Sequence, residues 1–342
     1  MEVFILYLVF GLVSVALILL VYTKWVLSYW KRRNVPYLEP SFPFGNLESP
    51  TTNKKSQSVH YKEFYDKFKN SGVKCGGIYE YISPTLIPID PEINKHILVK
   101  DFEYFHARGF YYNEKHQPVS ANLFTIDGKK WRTLRVKFTP TFTSSKMKFM
   151  FDLMLAAGKT MDAYLQEYAD TKTPLNVKDC VGRMTTNVIG SCAFGLDCNS
   201  FKDVTVYKLL TNMIEGFSGF IKVTFCNSLP KVAQLLGLRL LPDRETNIIC
   251  KSIEETISYR TEKNVSRNDF LQLLMEMKDK EMVDMTELKG QCILFFLAGY
   301  ETSAITMTFA LFELAKNQDM QEKLRKEINE VLREHNNDFC FI

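Results

Sequence analysis

None of the eight cysteines forms a Cys-x-x-Cys pair, and they are scattered along the chain. That pattern excludes a disulfide framework and reads as reduced, buried thiols of a cytosol-facing protein. No glycine-rich phosphate loop, internal repeat or low-complexity tract is present. Charge of one sign is also scarce. A net charge of +4 over 342 residues is too mild to point to nucleic acid. What remains is a globular composition, 46% hydrophobic and 24% charged, rich in phenylalanine. A large apolar core or an apolar pocket follows from it.

A long apolar run stands at the front. Val3 to Tyr22 is almost unbroken, and its length matches the roughly 20 residues a helix needs to cross a bilayer. A cleaved signal peptide would begin with basic residues and end at a small-residue site. Here Glu2 begins the run, and Tyr22, Lys24, Trp25 and Tyr29 suit a membrane interface at its end. Lys24, Lys31, Arg32 and Arg33 follow, so the positive-inside rule turns the body toward the cytosol. Pro36, Pro40 and Pro43 then give a stiff, extended exit that closes at Gly45-Asn46.

Helical spacing predicts helices over His60–Asn70, Phe151–Ala169, Val177–Phe194, Tyr207–Phe220 and Gln321–Arg333. Gly77–Ile82 and Thr85–Ile89 read as two strands around Ser83-Pro84. Asp90-Pro91 opens a further helix, with Asp as N-cap. The fold class is mainly α with a small β-sheet.

A long helix after Asp284 is the feature around which the chain is organised. Glu287, three residues on, completes a capping box. Apolar residues dominate from Cys292 to Leu314, which predicts a helix buried nearly all round. Three of its central residues are unfavourable there. Gly299 costs about 1 kcal/mol relative to alanine. Glu301 must be paired, hydrated or protonated. Thr302 can return its hydroxyl to the carbonyl four residues back. Ala298 and Thr302 lie one turn apart on one face. A small-residue notch beside an acid and an alcohol suits a flat cofactor with a proton path leading to it.

Ala298-Gly299-Tyr300-Glu301-Thr302-Ser303 resembles the oxygen-activating motif of cytochrome P-450 haem-thiolate monooxygenases. Other segments resemble the same family, in its order. Trp131-Arg132-Thr133-Leu134-Arg135 is followed by Phe138-Thr139-Pro140-Thr141-Phe142. Arg183-Met184-Thr185-Thr186-Asn187 resembles insect microsomal members, with Asn187 where Asp is usual. Arg267-Asn268-Asp269-Phe270 also resembles them. On a helix Trp131 and Arg135 point the same way, and an indole N–H and a guanidinium can both donate to one carboxylate.

The resemblance implies a cytochrome P-450 fold behind a transmembrane anchor at 1–23. A basic, proline-rich hinge over 24–46, a partial catalytic domain over 47–336 and an atypical tail over 337–342 complete the division. It implies haem b as cofactor, with Trp131 and Arg135 on a propionate and Ala298, Gly299 and Thr302 against the ring. Glu301 and Thr302 are the catalytic candidates. Phe110, Asn122, Leu123, Phe124, Phe217, Phe220, Phe295 and Phe296 are the substrate-pocket candidates. Lipophilic substrates, NADPH electrons through a reductase, cytochrome b5 and the endoplasmic reticulum membrane are the implied partners and setting; nucleic acid is not. Lys129, Lys130, Arg132 and Lys137 form the implied docking surface for an acidic reductase.

The family pattern continues for roughly another third, with a Glu-x-x-Arg pair, further strands and the cysteine loop that ligates iron. None of these stands in the 342 residues. Cys340 lacks the surroundings of that loop, and Cys292 reads as a structural thiol. The axial ligand is therefore absent from this set, and the chain is expected to be inactive alone. Two rivals follow: a membrane-anchored product without haem, and a two-span membrane protein with Cys292–Leu314 as its second span.

Overall fold

The computed structural model describes residues 2–48, 55–196, 198–216 and 219–336. Two compact units divide at residue 106.

The first unit opens with α1 (Glu2–Leu27), fully exposed along its apolar length. A short α2 (Tyr29–Arg32) follows. The proline-rich exit is more than a linker. Its main chain pairs with β1 (Cys75–Glu80): Leu38 N donates to Gly77 O and Gly77 N donates to Pro36 O. Trp30 anchors the same place. Its indole N–H donates to Ile78 O at 2.9 Å, and a Cβ on Gly77 would lie 2.5 Å from its ring. Gly45 is required twice over. Its φ of +71° is left-handed, and a Cβ would meet Tyr79 O at 2.2 Å.

β1 pairs antiparallel with β2 (Ser83–Pro88), Glu80 opposite Ser83. Ser83-Pro84 thus lies inside the second strand, and the turn is Tyr81-Ile82. Tyr81, at φ 57°, supplies the left-handed residue that so short a turn needs. Pro84 is tolerated because a two-stranded sheet has only edge strands. α3 (Gln57–Asn70) lays Phe64 and Phe68 over Ile78. α4 (Pro91–Lys95) starts as anticipated, with Asp90 accepting from Glu92 N at 2.8 Å. α5 (Phe102–Phe105) ends the unit.

The second unit is helical. α6 (Gly128–Phe138), α7 (Ser144–Thr171), α8 (Val177–Phe194) and α9 (Thr205–Gly216) come first. α10 (Phe220–Ser228), α11 (Pro230–Leu235), α12 (Asp243–Lys263) and α13 (Phe270–Asp279) follow. α14 (Met285–Lys316) and α15 (Gln318–Glu334) close it. The helix expected over Tyr207–Phe220 stops at Gly216, and a separate helix begins at Phe220.

α8 lies along α14 at the centre of the core, with Ile293, Phe296 and Tyr300 buried on one side and Ala193 and Phe194 on the other. Asn187, at the position where Asp is usual, is buried there and accepts from Ser200 N at 2.8 Å. The ends of α8, α12 and α13 are tied by one buried charge cluster. Asp269 caps α13 through Gln272 N at 2.9 Å and accepts from both terminal nitrogens of Arg260. Gly195, which ends α8, touches the same guanidinium: a Cβ there would sit 1.9 Å from it.

Cysteine behaves as composition suggested. Cys292 is fully buried and its thiol is pushed well up by burial. Cys192 is pushed up to about 11, by burial first and by the Asp269 charge second. Both remain neutral thiols near neutral pH.

Candidate functional site

α14 begins in the anticipated capping box. Asp284 Oδ1 accepts from Glu287 N at 2.7 Å, and Glu287 Oε2 accepts from Asp284 N at 3.2 Å. The first half of the helix is buried, but burial ends at Ala304. Ile305, Phe309, Leu311 and Phe312 are exposed, Phe309 by 64%. The expectation of burial all round therefore fails in the second half, where no described residue covers the apolar face.

The central residues divide between faces. Gly299 is turned to α8: a Cβ there would lie 2.2 Å from Ile189 Cδ1. Its missing side chain is what lets the two helices close. Tyr300 is buried with its hydroxyl 3.3 Å from Thr211 Oγ1. Phe296 is buried edge-on to Phe194, ring centroids 4.7 Å apart. It is a core residue rather than part of an open pocket. Ala298 and Thr302 lie on the open side. Thr302 Oγ1 donates to Ala298 O at 2.5 Å, the bond to the preceding turn that its position suggested.

Glu301 is partnered. Its Oε1 lies 3.3 Å from Nζ of Lys178, in the first turn of α8, and its side chain is 26% exposed. A carboxylate on an apolar helix is therefore stabilised by a cation from the neighbouring helix and by partial hydration. The two residues are far apart in sequence, and no local signal could have paired them.

The other candidates are placed as follows. Trp131 packs against the main core, with the Arg108 guanidinium 5.9 Å from its ring centroid. Arg135, one turn on, is exposed. Phe110 and Phe124 stack at 4.7 Å and are both partly open to solvent. Asn122 is buried and committed to its own turn, accepting from Phe124 N at 3.0 Å. Leu123 packs on the core, and its N–H donates to Gln291 Oε1 at 3.1 Å. Phe295 stands against Phe142 and Phe270, at 5.1 and 4.0 Å. Phe217 lies outside the described residues, as do Cys340 and the 337–342 tail. Phe220 opens α10.

The basic cluster on α6 is uneven. Lys130 is paired with Glu114 at 2.7 Å, and Lys137 donates to Met282 O. Lys129 and Arg132 are exposed, with no ion pair among the described residues.

The comparisons bear on an open helix face with Ala298, an alcohol and a paired acid. A cytochrome P450 family model matches residues 43–341. The chain belongs to the cytochrome P450 family. It is 36% identical over 343 residues to cytochrome P450 6A1 of Musca domestica, covering 97% of this chain and 67% of that one. It is 37% identical over 347 residues to cytochrome P450 6a8 of Drosophila melanogaster, with 96% and 68% covered. A third relative, probable cytochrome P450 6a20 of Drosophila melanogaster, is 40% identical over 325 residues, with 90% and 64% covered. The chain thus spans about two thirds of the length of the P450 relatives it matches. Family membership makes this a P450 of the haem monooxygenase superfamily with insect relatives.

The residues on the open α14 face are compatible with the haem that the family implies. The methyl of Ala298 leaves room for a flat group, Thr302 offers a hydroxyl, and Ile305 and Phe309 continue the face as apolar surface. Arg135 is exposed, with no ion pair among the described residues, on the solvent side where an acid group could meet it. Among the described residues, two helices are long and apolar enough to cross a membrane, α1 and α14. α14, though, packs its first half into the core against α8 and carries the Glu301–Lys178 pair.

Proposed function

We propose that this chain is the membrane-anchored part of a monooxygenase that inserts one oxygen atom from O2 into lipophilic foreign compounds. Electrons come from NADPH through a reductase, with cytochrome b5 as a second donor. The observation that carries the reading is the open α14 face, on which Ala298 and Thr302 stand beside a Glu301 that reaches solvent. Haem, when bound, supplies oxygen activation at its iron.

The protein residues do the rest. Ala298 and Thr302 border the flat group, Gly299 serving instead to seat α14 on Ile189 of α8, and Trp131 and Arg135 hold a propionate by charge-assisted hydrogen bonds. Thr302 Oγ1 can turn from Ala298 O toward the open face and hold a water there. Glu301 carries protons between bulk water and that hydroxyl, a role that needs a carboxyl able to change protonation state. Phe110, Leu123, Phe124 and Phe295 favour an apolar substrate and exclude water. Phe217, Phe220, Phe296 and Asn122 complete the candidate set, Phe296 from the core side and Asn122 by shaping the turn that carries Phe124.

α1 anchors the protein in the endoplasmic reticulum membrane, and the lysines and arginines after it hold the body on the cytosolic side. The axial cysteine pattern of the family is not found in the 342 residues. The test therefore uses the protein extended to the length of its relatives. It is expected to bind haem, give the carbon monoxide spectrum of a thiolate-ligated iron, and oxidise a lipophile with NADPH and reductase. If the extended protein takes up no haem, the reading fails and the non-catalytic membrane-anchored product replaces it.

Reductase docking makes a narrower prediction. Lys129→Glu with Arg132→Glu is expected to weaken reductase affinity roughly tenfold at low salt and to flatten its salt dependence. Lys137→Glu is expected to do less to docking and more to stability, because its amine already serves Met282 O. Equal reductase titrations for wild type and the double variant would remove this face from docking.

A further inference from the structure

The segment between Arg108 and Ile126 has little regular structure, yet side chains fasten it at both ends. On one end Gln117 grips Leu241 twice: its Nε2 donates to Leu241 O at 2.8 Å, and its Oε1 accepts from Leu241 N at 3.1 Å. The Tyr111 hydroxyl adds a bond to Leu238 O at 2.8 Å. On the other end the fastening is Gln291 of α14. This glutamine is fully buried. Its Oε1 accepts from Leu123 N at 3.1 Å, while its Nε2 has no hydrogen-bond partner among the described residues. Beside it, Gly290 lets the strap lie directly on the helix, because a Cβ there would meet Val119 O at 3.2 Å.

Position gives the contact a function. Gln291 shares the helical stripe of Ala298 and Thr302, since seven residues make nearly two full turns. The clasp therefore stands roughly 10 Å along the helix from Ala298, about the length of a small lipophilic molecule. Leu123, held by that bond, and the Phe124 that follows it stand at this end of the stripe. A buried donor without a partner disfavours the closed arrangement, so this end of the strap opens more readily than the Gln117 end.

We propose that Gln291 is a positioning residue of the substrate site: its acceptor oxygen sets Leu123 and Phe124 as the wall facing Ala298, and its unpaired donor keeps that wall releasable. The inference rests on reading the α14 face as the site of oxygen insertion.

Hydrogen–deuterium exchange on the full 342-residue chain tests it. Gln291→Met fills the same space without an acceptor. It is expected to speed exchange in residues 119–126 roughly tenfold or more, leaving Leu241 and its neighbours as in wild type. Gln291→Glu, neutral when buried, keeps an acceptor oxygen of the same reach and is expected to restore protection. A side chain that only filled volume would rank the two variants the other way. Wild-type exchange in the Met variant, or exchange in the Glu variant as fast as in the Met variant, overturns the proposal. If Gln291→Met does not fold, Gln117→Met serves in its place. It should loosen Leu241 while leaving Leu123 protected, and loss of both protections together overturns the two-clasp arrangement. In the extended, haem-loaded protein, Gln291→Met is expected to raise KM for a long lipophile several-fold with kcat little changed. An unmoved KM also overturns the proposal, whereas absent haem uptake by wild type sinks the monooxygenase reading without touching the exchange result.

Discussion

Asp269→Ala is expected to lower the stability of the second unit by roughly 3–5 kcal/mol. The Asp269 side chain is fully buried and faces an Arg260 side chain that is itself 3% exposed. Arg260 donates to both carboxylate oxygens, and Arg267 Nε approaches at 3.5 Å. Deleting the acid leaves Arg260 charged and unpaired in the core, a larger loss than that of any surface ion pair. The N-cap of α13 disappears with it, which costs about 1 kcal/mol more. Small rearrangement cannot relieve the charge, because Gly195 at the end of α8 already touches the guanidinium.

Marginal stability makes a loss of this size decisive, since folded domains hold only about 5–15 kcal/mol in total. Asp269→Asn keeps the cap and part of the hydrogen bonding, and should fall between Ala and wild type. Urea unfolding followed by circular dichroism reads both variants. A loss below about 1 kcal/mol for Asp269→Ala would mean that Arg260 finds water or another acceptor, and that the three helix ends are not held by this cluster.

The sequence made local features legible and long-range ones not. The capping box at Asp284, the cap at Asp90, the span of α8 and the back-bond from Thr302 all depend on residues within one turn of each other. Their physics is local, so spacing reveals it. The hairpin turn was misplaced by two residues because Ser83-Pro84 is a strong turn signal, yet pairing with β1 sets the register. Tertiary context also decided Gly299, whose open side receives Ile189 from α8. Lys178 carries no signal in the sequence, and Lys137 reads there as part of a basic docking surface. Their partners, Glu301 and Met282 O, come from distant helices and loops. Gln291 carries no signal in the sequence, because its role depends on Leu123, which only the fold brings near. Family membership was legible for a different reason: several short motifs stand in one order over most of the chain.

Thr302→Ala in the extended, haem-loaded protein is expected to uncouple electron use from oxygen insertion. Product formed per NADPH should fall roughly tenfold or more, with hydrogen peroxide released in its place. The structure separates this effect from a folding effect. Thr302 is exposed, and among the described residues its hydroxyl bonds only the carbonyl of Ala298 in the preceding turn. Alanine is the better helix former, and surface changes of this kind stay within about 0.5 kcal/mol. The variant should therefore melt like wild type and bind substrate with similar KM. Thr302→Ser restores a hydroxyl at the same Cβ and should recover most of the coupling. Glu301→Gln removes the carboxyl and leaves Lys178 without this anion, so it should slow proton supply without freeing the Thr302 hydroxyl. Its signature is a lower kcat with a larger solvent isotope effect, rather than the peroxide leak of Thr302→Ala. Unchanged coupling in Thr302→Ala, with the Glu301→Gln variant still slow, would leave the acid in the proton path and remove the alcohol from it.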